Sequence, residues 1–111
     1  MNERFTNEAD IHALLRSFEK ASISRDGWKH AEHLVVALCY VTQHDLEAAT
    51  AKMRAGILHL LEFGFQVDLG KEMPYHETIT AFWMRAVAQF NDRNNGTSLL
   101  DKANTLVKAF D

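Results

Sequence analysis

The spacing of apolar residues is the feature that most constrains how this chain of 111 residues can fold. In five segments, apolar side chains recur three or four positions apart, the period of one face of an α-helix. No segment shows the sustained alternation of apolar and polar residues that is typical of a half-buried strand. The spacing therefore predicts an all-α protein, a single four-to-five-helix bundle with an up-down arrangement and short connections. A chain of this length buries one core, so we expect residues 1–111 to form a single helical domain.

Local signals predict where the helices begin and end. Asp45 is suited to cap the third helix, and Ser98 opens a capping-box sequence before the last one. Gly64, followed by Phe65, predicts a glycine cap that ends the third helix near residue 63. Pro74 stands where its fixed φ suits the first helical position of the fourth helix. The predicted helices cover residues 7–21, 29–43, 45–63, 74–93 and 98–110. The second, third and fourth of them each carry one apolar stripe that is expected to face inward, and these stripes include His30, Leu34, Ala37, Leu38 and Val41, then Leu46, Ala49, Met53, Ile57 and Leu60, then Ile79, Phe82, Trp83, Ala86, Val87 and Phe90.

The composition argues against several classes of function. The net charge is -3 and the twelve Lys and Arg residues are scattered, whereas a nucleic-acid partner requires clustered basic side chains. The longest apolar run, residues 34–41, is far shorter than the roughly 20 residues that cross a bilayer as a helix. Residues 1–8 lack the basic start and apolar run of a signal peptide, and the single cysteine, Cys39, cannot form an internal disulfide. We therefore expect a soluble, cytoplasmic protein with no nucleic-acid or membrane partner.

Two polar segments at predicted helix starts carry the candidate site. Residues 28–34 read Trp-Lys-His-Ala-Glu-His-Leu, and residues 75–80 read Tyr-His-Glu-Thr-Ile-Thr. Alternate helices of an up-down bundle point the same way, so both starts should lie at one end of the bundle. On each predicted helix the histidines lie on the inward side, and they are expected to converge there. The predicted ligand pocket consists of Trp28, His30, His33, Tyr75, His76 and Glu77.

Imidazole and carboxylate groups in this arrangement predict a divalent-metal site. His30, His33 and His76 would bind zinc or iron and leave one position free for water. In a catalytic version the metal lowers the pKa of its water and Glu77 or Glu32 accepts the proton, in a hydrolytic or oxidative reaction. The metalloprotease signature HExxH is absent, because Thr80 stands where its second histidine is required. The sequence leaves open whether the protein is an enzyme.

Two alternatives use the same residues differently. Helix starts that point into one cavity favour anions, so the pocket could hold a carboxylate or phosphate without a metal, with charge added by protonated His30 or His33. Glu32 and Glu77 oppose this alternative by adding negative charge. In the second alternative the histidines are structural and the protein is a non-enzymatic interaction module, such as a homodimer. The apolar residues of the fifth helix motivate that interpretation.

The two histidine segments resemble those of a family of small, uncharacterised, all-helical bacterial proteins. Members of that family carry an aromatic-Thr-His-x-x-His-Leu segment and a Tyr-His-Glu-Thr-[Ile/Leu]-Thr segment, and the resemblance covers about residues 28–87. Lys29 stands where the family often has threonine, and Pro74 replaces a glycine or lysine. The resemblance implies one shared site and names no activity for it. That site comprises His30, His33, His76 and Glu77.

Overall fold

The chain folds into five α-helices, and the computed structural model, which describes residues 4–110, contains no strand in that range. The helices are α1 (Glu8–Glu19), α2 (His30–Gln43), α3 (Leu46–His59), α4 (Glu77–Arg93) and α5 (Leu99–Phe110). A π-helical turn, Leu60–Gly64, extends α3. The predicted all-α bundle is confirmed. None of the helices in the described part of the chain is long and apolar enough to span a lipid bilayer.

The helix α2 lies at the centre of the bundle and packs against each of the other four helices. Residues 34–40 read Leu-Val-Val-Ala-Leu-Cys-Tyr, and all of them are buried. A helix that is apolar on every side is stable only where neighbours surround it. The spacing of apolar residues predicts a single inward stripe on α2, whereas in the structure residues on nearly every side of this helix are buried. Burial also raises the pKa of the Cys39 thiol to about 11, which fits the inert thiol that the apolar surroundings predict.

Side-chain caps begin three helices, and the caps at Asp45 and Ser98 are the predicted ones. Asn7, Asp45 and Ser98 each accept a hydrogen bond from the backbone N–H three residues later, at 3.0, 2.8 and 3.1 Å. Each bond satisfies one of the N–H groups that have no partner inside the helix. The starts of α1, α3 and α5 are therefore fixed by local chemistry.

The end of α3 differs from the predicted glycine cap. Gly64 closes the π-helical turn, and the left-handed conformation, with a φ of 58°, falls on Gln66 instead. Gly64 is still required for a different reason, since a Cβ at this position would lie 2.8 Å from the backbone oxygen of Ala21. The glycine therefore permits a close approach between this turn and the end of α1, where the sequence suggested a helix stop.

The helix α4 begins at Glu77, three residues after Pro74. His76 is extended, with φ -124° and ψ 106°, and directly precedes the first turn. Pro74, Tyr75 and His76 therefore belong to the loop that enters α4, so the prediction that the helix starts at the proline was wrong. Because Tyr75 and His76 precede the helix, their side chains do not follow the helical period that was assumed from the sequence.

The buried face of α4 is also rotated from the predicted one. Met84 and Val87 are its buried residues, whereas Ile79 and Phe82, which the sequence analysis placed on the inward stripe, are 55% and 56% exposed. Apolar residues occupy two neighbouring faces of this helix, so periodicity alone does not decide which face is inside. The rotation leaves two large apolar side chains accessible next to the candidate site.

Asn104 fastens the N-terminal segment to α5. Its Oδ1 accepts the backbone N–H of Phe5 at 2.9 Å and its Nδ2 donates to the carbonyl oxygen of Phe5 at 3.0 Å, both in a buried environment. Asn104→Leu leaves two backbone groups buried without partners, so we expect the free energy of unfolding to fall by about 2–4 kcal/mol in urea titrations. Thr105→Ala, in an exposed neighbour, is the control and should change the free energy of unfolding by less than about 0.5 kcal/mol. Equal stability of the two variants would contradict the role of Asn104.

Candidate functional site

A cleft of about 150 Å³ lies where the starts of α2 and α4 meet α3. Most of its wall is apolar, and the apolar part includes Leu34, Met53, Ile57, Pro74, Trp83 and Met84. The polar groups on its wall belong to His30, His33, Tyr75, His76 and Thr80. The structure thus brings the three histidines of the two sequence segments to one cleft.

His33 forms one wall of the cleft and packs against Trp28. The centroids of the two rings are 4.2 Å apart, and Trp28 in turn stacks on the buried ring of Phe18 at 4.8 Å. Burial, and to a smaller extent the neighbouring His30, lowers the pKa of His33 to about 4, while Glu32 opposes the change. His33 is therefore neutral at pH 7, unlike the protonated imidazole that the anion alternative assumed, because too little water reaches the ring to stabilise a charge.

His30 and His76 lie at the starts of the two helices. The ring of His30, the first residue of α2, meets Trp83 edge-on with 4.8 Å between the centroids. His76 is exposed, precedes the first turn of α4 and makes no capping hydrogen bond. Neither side chain has a hydrogen-bond partner within residues 4–110, so no group in that range occupies the ring nitrogens that would bind a ligand.

Glu77 is bound by Arg54 of α3 and does not line the cleft. The Arg54 Nε and Nη2 atoms donate to its two carboxylate oxygens at 2.7 and 2.5 Å, and the Tyr75 hydroxyl donates to Oε1 at 2.7 Å. The bonds from Arg54, and then the one from Tyr75, lower the pKa of Glu77 to about 2, while the same ion pair raises the pKa of Arg54. A carboxylate held in this way is poorly suited to accept a proton at neutral pH, the role that the sequence analysis gave to Glu77.

Glu32, the second acid beside the histidines, is also engaged. One of its oxygens accepts the backbone N–H of Lys29 at 3.1 Å, which is the acidic half of a capping box at the start of α2. The other oxygen forms an ion pair with Arg4. Each of the two glutamates near the histidines thus forms an ion pair with an arginine, and these arginines compensate the negative charge that would repel an anion.

The predicted metal site has no ligand set in the part of the chain that the structure describes. Over residues 4–110, no group of three or more His, Cys, Asp or Glu side chains is arranged so that it could hold a metal ion. His30 and His33 pack against different tryptophans, and Glu77 is held by Arg54. Of the residues predicted to form the pocket, Trp28 and Glu77 lie beside the cleft, and the other four line it.

The contact between Arg54 and Glu77 was not predicted from the sequence. Met53 and Ile57 belong to the inward stripe of α3 that the sequence predicts, so their presence in the cleft follows from periodicity once α3 is placed beside α4. Arg54 adjoins that stripe, which is typical of an arginine that extends toward water. Its pairing with Glu77 joins residues 23 positions apart and follows only from the packing of α3 against the start of α4.

A scan against protein-family models finds no match to this chain, and searches of curated proteins and of solved structures find none either. A function must therefore be inferred from the cleft and its neighbouring charges. The family resemblance of residues 28–34 and 75–80 stays an interpretation of those two segments.

Proposed function

We propose that the cleft binds a compact organic acid, with an apolar body against α3 and α4 and a carboxylate near His30 and His76. The observation that carries this proposal is the combination, in one cleft, of apolar walls with three imidazoles. Cavities of about 150 Å³, the volume of this cleft, hold a molecule the size of benzene. Benzoate therefore has a suitable size and polarity for a probe.

The charges around the cleft favour an anionic group. Arg54 and Arg4 compensate the two nearby glutamates, and the first turns of α2 and α4 favour negative charge through their free N–H groups. His30 and His76 add nitrogen donors at the same end of the cleft. Among the described residues that line it there is no lysine or arginine, which makes a doubly charged phosphate a poorer match than a carboxylate.

His33 contributes a neutral surface and one N–H donor to the proposed site. Its low pKa keeps it uncharged at pH 7, so the ring can pack against an apolar ligand as a tryptophan would. The proposal assigns binding and no reaction, since Glu77 is engaged by Arg54. An acid-base role for the cleft would require a different proton acceptor.

Benzoate titration of ¹⁵N-labelled protein tests the proposal. We expect chemical-shift changes that saturate and are confined to residues 28–34, 53–57 and 75–84. Benzyl alcohol, which keeps the ring and loses the charge, should bind roughly tenfold more weakly, since a charge-assisted hydrogen bond contributes about 1.5–3 kcal/mol. His76→Ala should lose a similar factor, whereas His12→Ala, in an exposed residue of α1, should bind as the wild type does.

Two results would contradict the organic-acid proposal. Equal affinity for benzyl alcohol and benzoate would show that no carboxylate is recognised, and an absence of shift changes with both would show that the cleft does not bind such ligands. Zinc and ferrous iron are titrated separately into tag-free protein. Stoichiometric binding that broadens or shifts His30, His33 and His76 would favour the metal site predicted from the sequence.

A homodimer or partner-binding module is the second candidate function. Phe82 and Phe110 are 56% and 41% exposed, and both meet Trp83 edge-on. This aromatic surface, and not a surplus of apolar side chains along α5, motivates the candidate, because Leu106 is buried. Light scattering separates the two functions: a dimer that His76→Ala leaves intact and that does not bind benzoate would favour the module.

We also propose a cytoplasmic location, since Cys39 is a free, buried thiol and reducing compartments maintain free thiols. Fractionation of cells that express the chain tests this, and recovery in an oxidising compartment would contradict it.

A further inference from the structure

We infer that Arg54 and Glu77 form a latch that positions Tyr75 on the wall of the cleft and thereby sets its affinity for the organic acid. Tyr75 is the link between the two parts, because its ring lines the cleft while its hydroxyl donates to Glu77 Oε1 at 2.7 Å. Arg54 does not line the cleft, so it acts as a positioning residue. The inference rests on the proposed function for its ligand and on the described hydrogen bonds for its geometry.

The latch matters because the loop before α4 has few other attachments. Val67 N–H donates to the carbonyl oxygen of Leu61 at 2.8 Å, and within residues 4–110 the hydrogen bonds of residues 68–72 stay inside their own turn. From residue 73 to 76, the described backbone hydrogen bonds comprise a single one, from Thr80 N–H to the carbonyl oxygen of His76 at 3.0 Å. Among the described residues, the hydroxyl of Tyr75 is therefore the main polar attachment of this segment, directly to Glu77 at the start of α4 and through Glu77 to Arg54 of α3.

The geometry of the ion pair suits a positioning role. Arginine donates through two nitrogens to both oxygens of Glu77, an arrangement that fixes orientation as well as distance. Both side chains are about half exposed, and exposed ion pairs contribute little to overall stability. Loss of the latch should therefore change the position of Tyr75 much more than it changes the unfolding of the bundle.

A purely electrostatic role makes the opposite prediction for one variant. If Glu77 affected the site only through its charge, Glu77→Ala would remove negative charge near the cleft and strengthen benzoate binding. If Glu77 acts through Tyr75, the same change releases the tyrosine and weakens binding. Tyr75→Phe separates the two cases further, because it removes the hydroxyl that reaches Glu77 and leaves both the ring and the ion pair in place.

Four variants test the latch: Arg54→Gln, Arg54→Lys, Glu77→Ala and Tyr75→Phe, with Arg85→Gln, in an exposed arginine of α4 outside the cleft wall, as the matched control. We expect Arg54→Gln, Glu77→Ala and Tyr75→Phe each to weaken benzoate binding roughly fivefold to tenfold, with the urea midpoint unchanged. Arg54→Lys cannot form two parallel hydrogen bonds with the carboxylate, so its affinity for benzoate should lie between those of Arg54→Gln and the wild type. Arg85→Gln should bind as the wild type does.

A second measurement needs no ligand. In ¹⁵N relaxation, the backbone order parameters of Met73, Tyr75 and His76 should fall in Arg54→Gln, Glu77→Ala and Tyr75→Phe and stay unchanged in Arg85→Gln. If the wild type does not bind benzoate but these order parameters fall, the latch stands and the proposed ligand is wrong. If the wild type binds benzoate and the variants keep both affinity and order, the latch is overturned, and stronger binding by Glu77→Ala would overturn it in favour of a charge effect.

Discussion

Phe18→Ala is expected to lower the free energy of unfolding by about 3–5 kcal/mol, as measured by urea titration. The ring of Phe18 is fully buried between α1 and α3, and Trp28 stacks on it at 4.8 Å. Its other side meets Gly56, where an added Cβ would lie only 2.3 Å from the Phe18 ring. Truncation therefore removes the contacts of the ring with Trp28 and Gly56 and leaves a cavity that two rigid helices cannot easily close.

Two further variants control for this effect. Phe18→Leu keeps most of the buried volume and should cost less than about 1.5 kcal/mol. Gly56→Ala alone should cost about 1–3 kcal/mol because it clashes with the ring, but in the Phe18→Ala background it should become neutral or stabilising, since alanine favours a helix by about 1 kcal/mol over glycine. A loss of less than 1.5 kcal/mol in Phe18→Ala, or no change of sign for Gly56→Ala, would show that α1 and α3 are packed less closely at this position.

Acidification should destabilise the protein through His33. The pKa of its imidazole is 6.5 in an ordinary environment and about 4 in the fold, where burial disfavours the charged form. Between these values the unfolded chain binds a proton that the folded protein does not, so stability decreases as the pH falls from 6.5 toward 4 and then levels. The difference between the two pKa values corresponds to a loss of at most about 3 kcal/mol in the free energy of unfolding.

Urea titrations at pH 7 and pH 4.5 measure this contribution in the wild type and in His33→Gln, which cannot titrate. We expect the stability difference between the two pH values to shrink in His33→Gln and to persist in His12→Gln. The imidazole resonances of His33 should titrate with a midpoint near pH 4 in the folded protein. A midpoint near 6.5 would mean that water reaches the ring and that its wall of the cleft is open.

The positions of most helices could be predicted because their signals are local. Asp45 and Ser98 cap the helices that follow them, and the stripe that contains Met53 and Ile57 identifies the inner side of α3. The convergence of His30 with His76 also follows from the order of the helices. These features depend on residues close together in sequence or on the general geometry of a bundle.

The features that could not be predicted depend on contacts between distant residues. Arg54 pairs with Glu77 only because α3 packs beside the start of α4, and the low pKa of His33 arises from burial against Trp28. The rotation of α4, which exposes Phe82, is decided by how its two apolar faces compete for the core. Spacing alone describes each helix separately and cannot resolve such competition.

The pair of hydrogen bonds between Phe5 and Asn104 also bears on the synthesis of the protein. It joins residues 99 positions apart, and α5 covers one side of the central helix α2. During synthesis the apolar surface of α2 therefore has no complete cover until residues 99–110 have left the ribosome. The bundle acquires its native core only after α5 has been synthesised, so the nascent chain carries exposed apolar surface while the residues between α2 and α5 are being added.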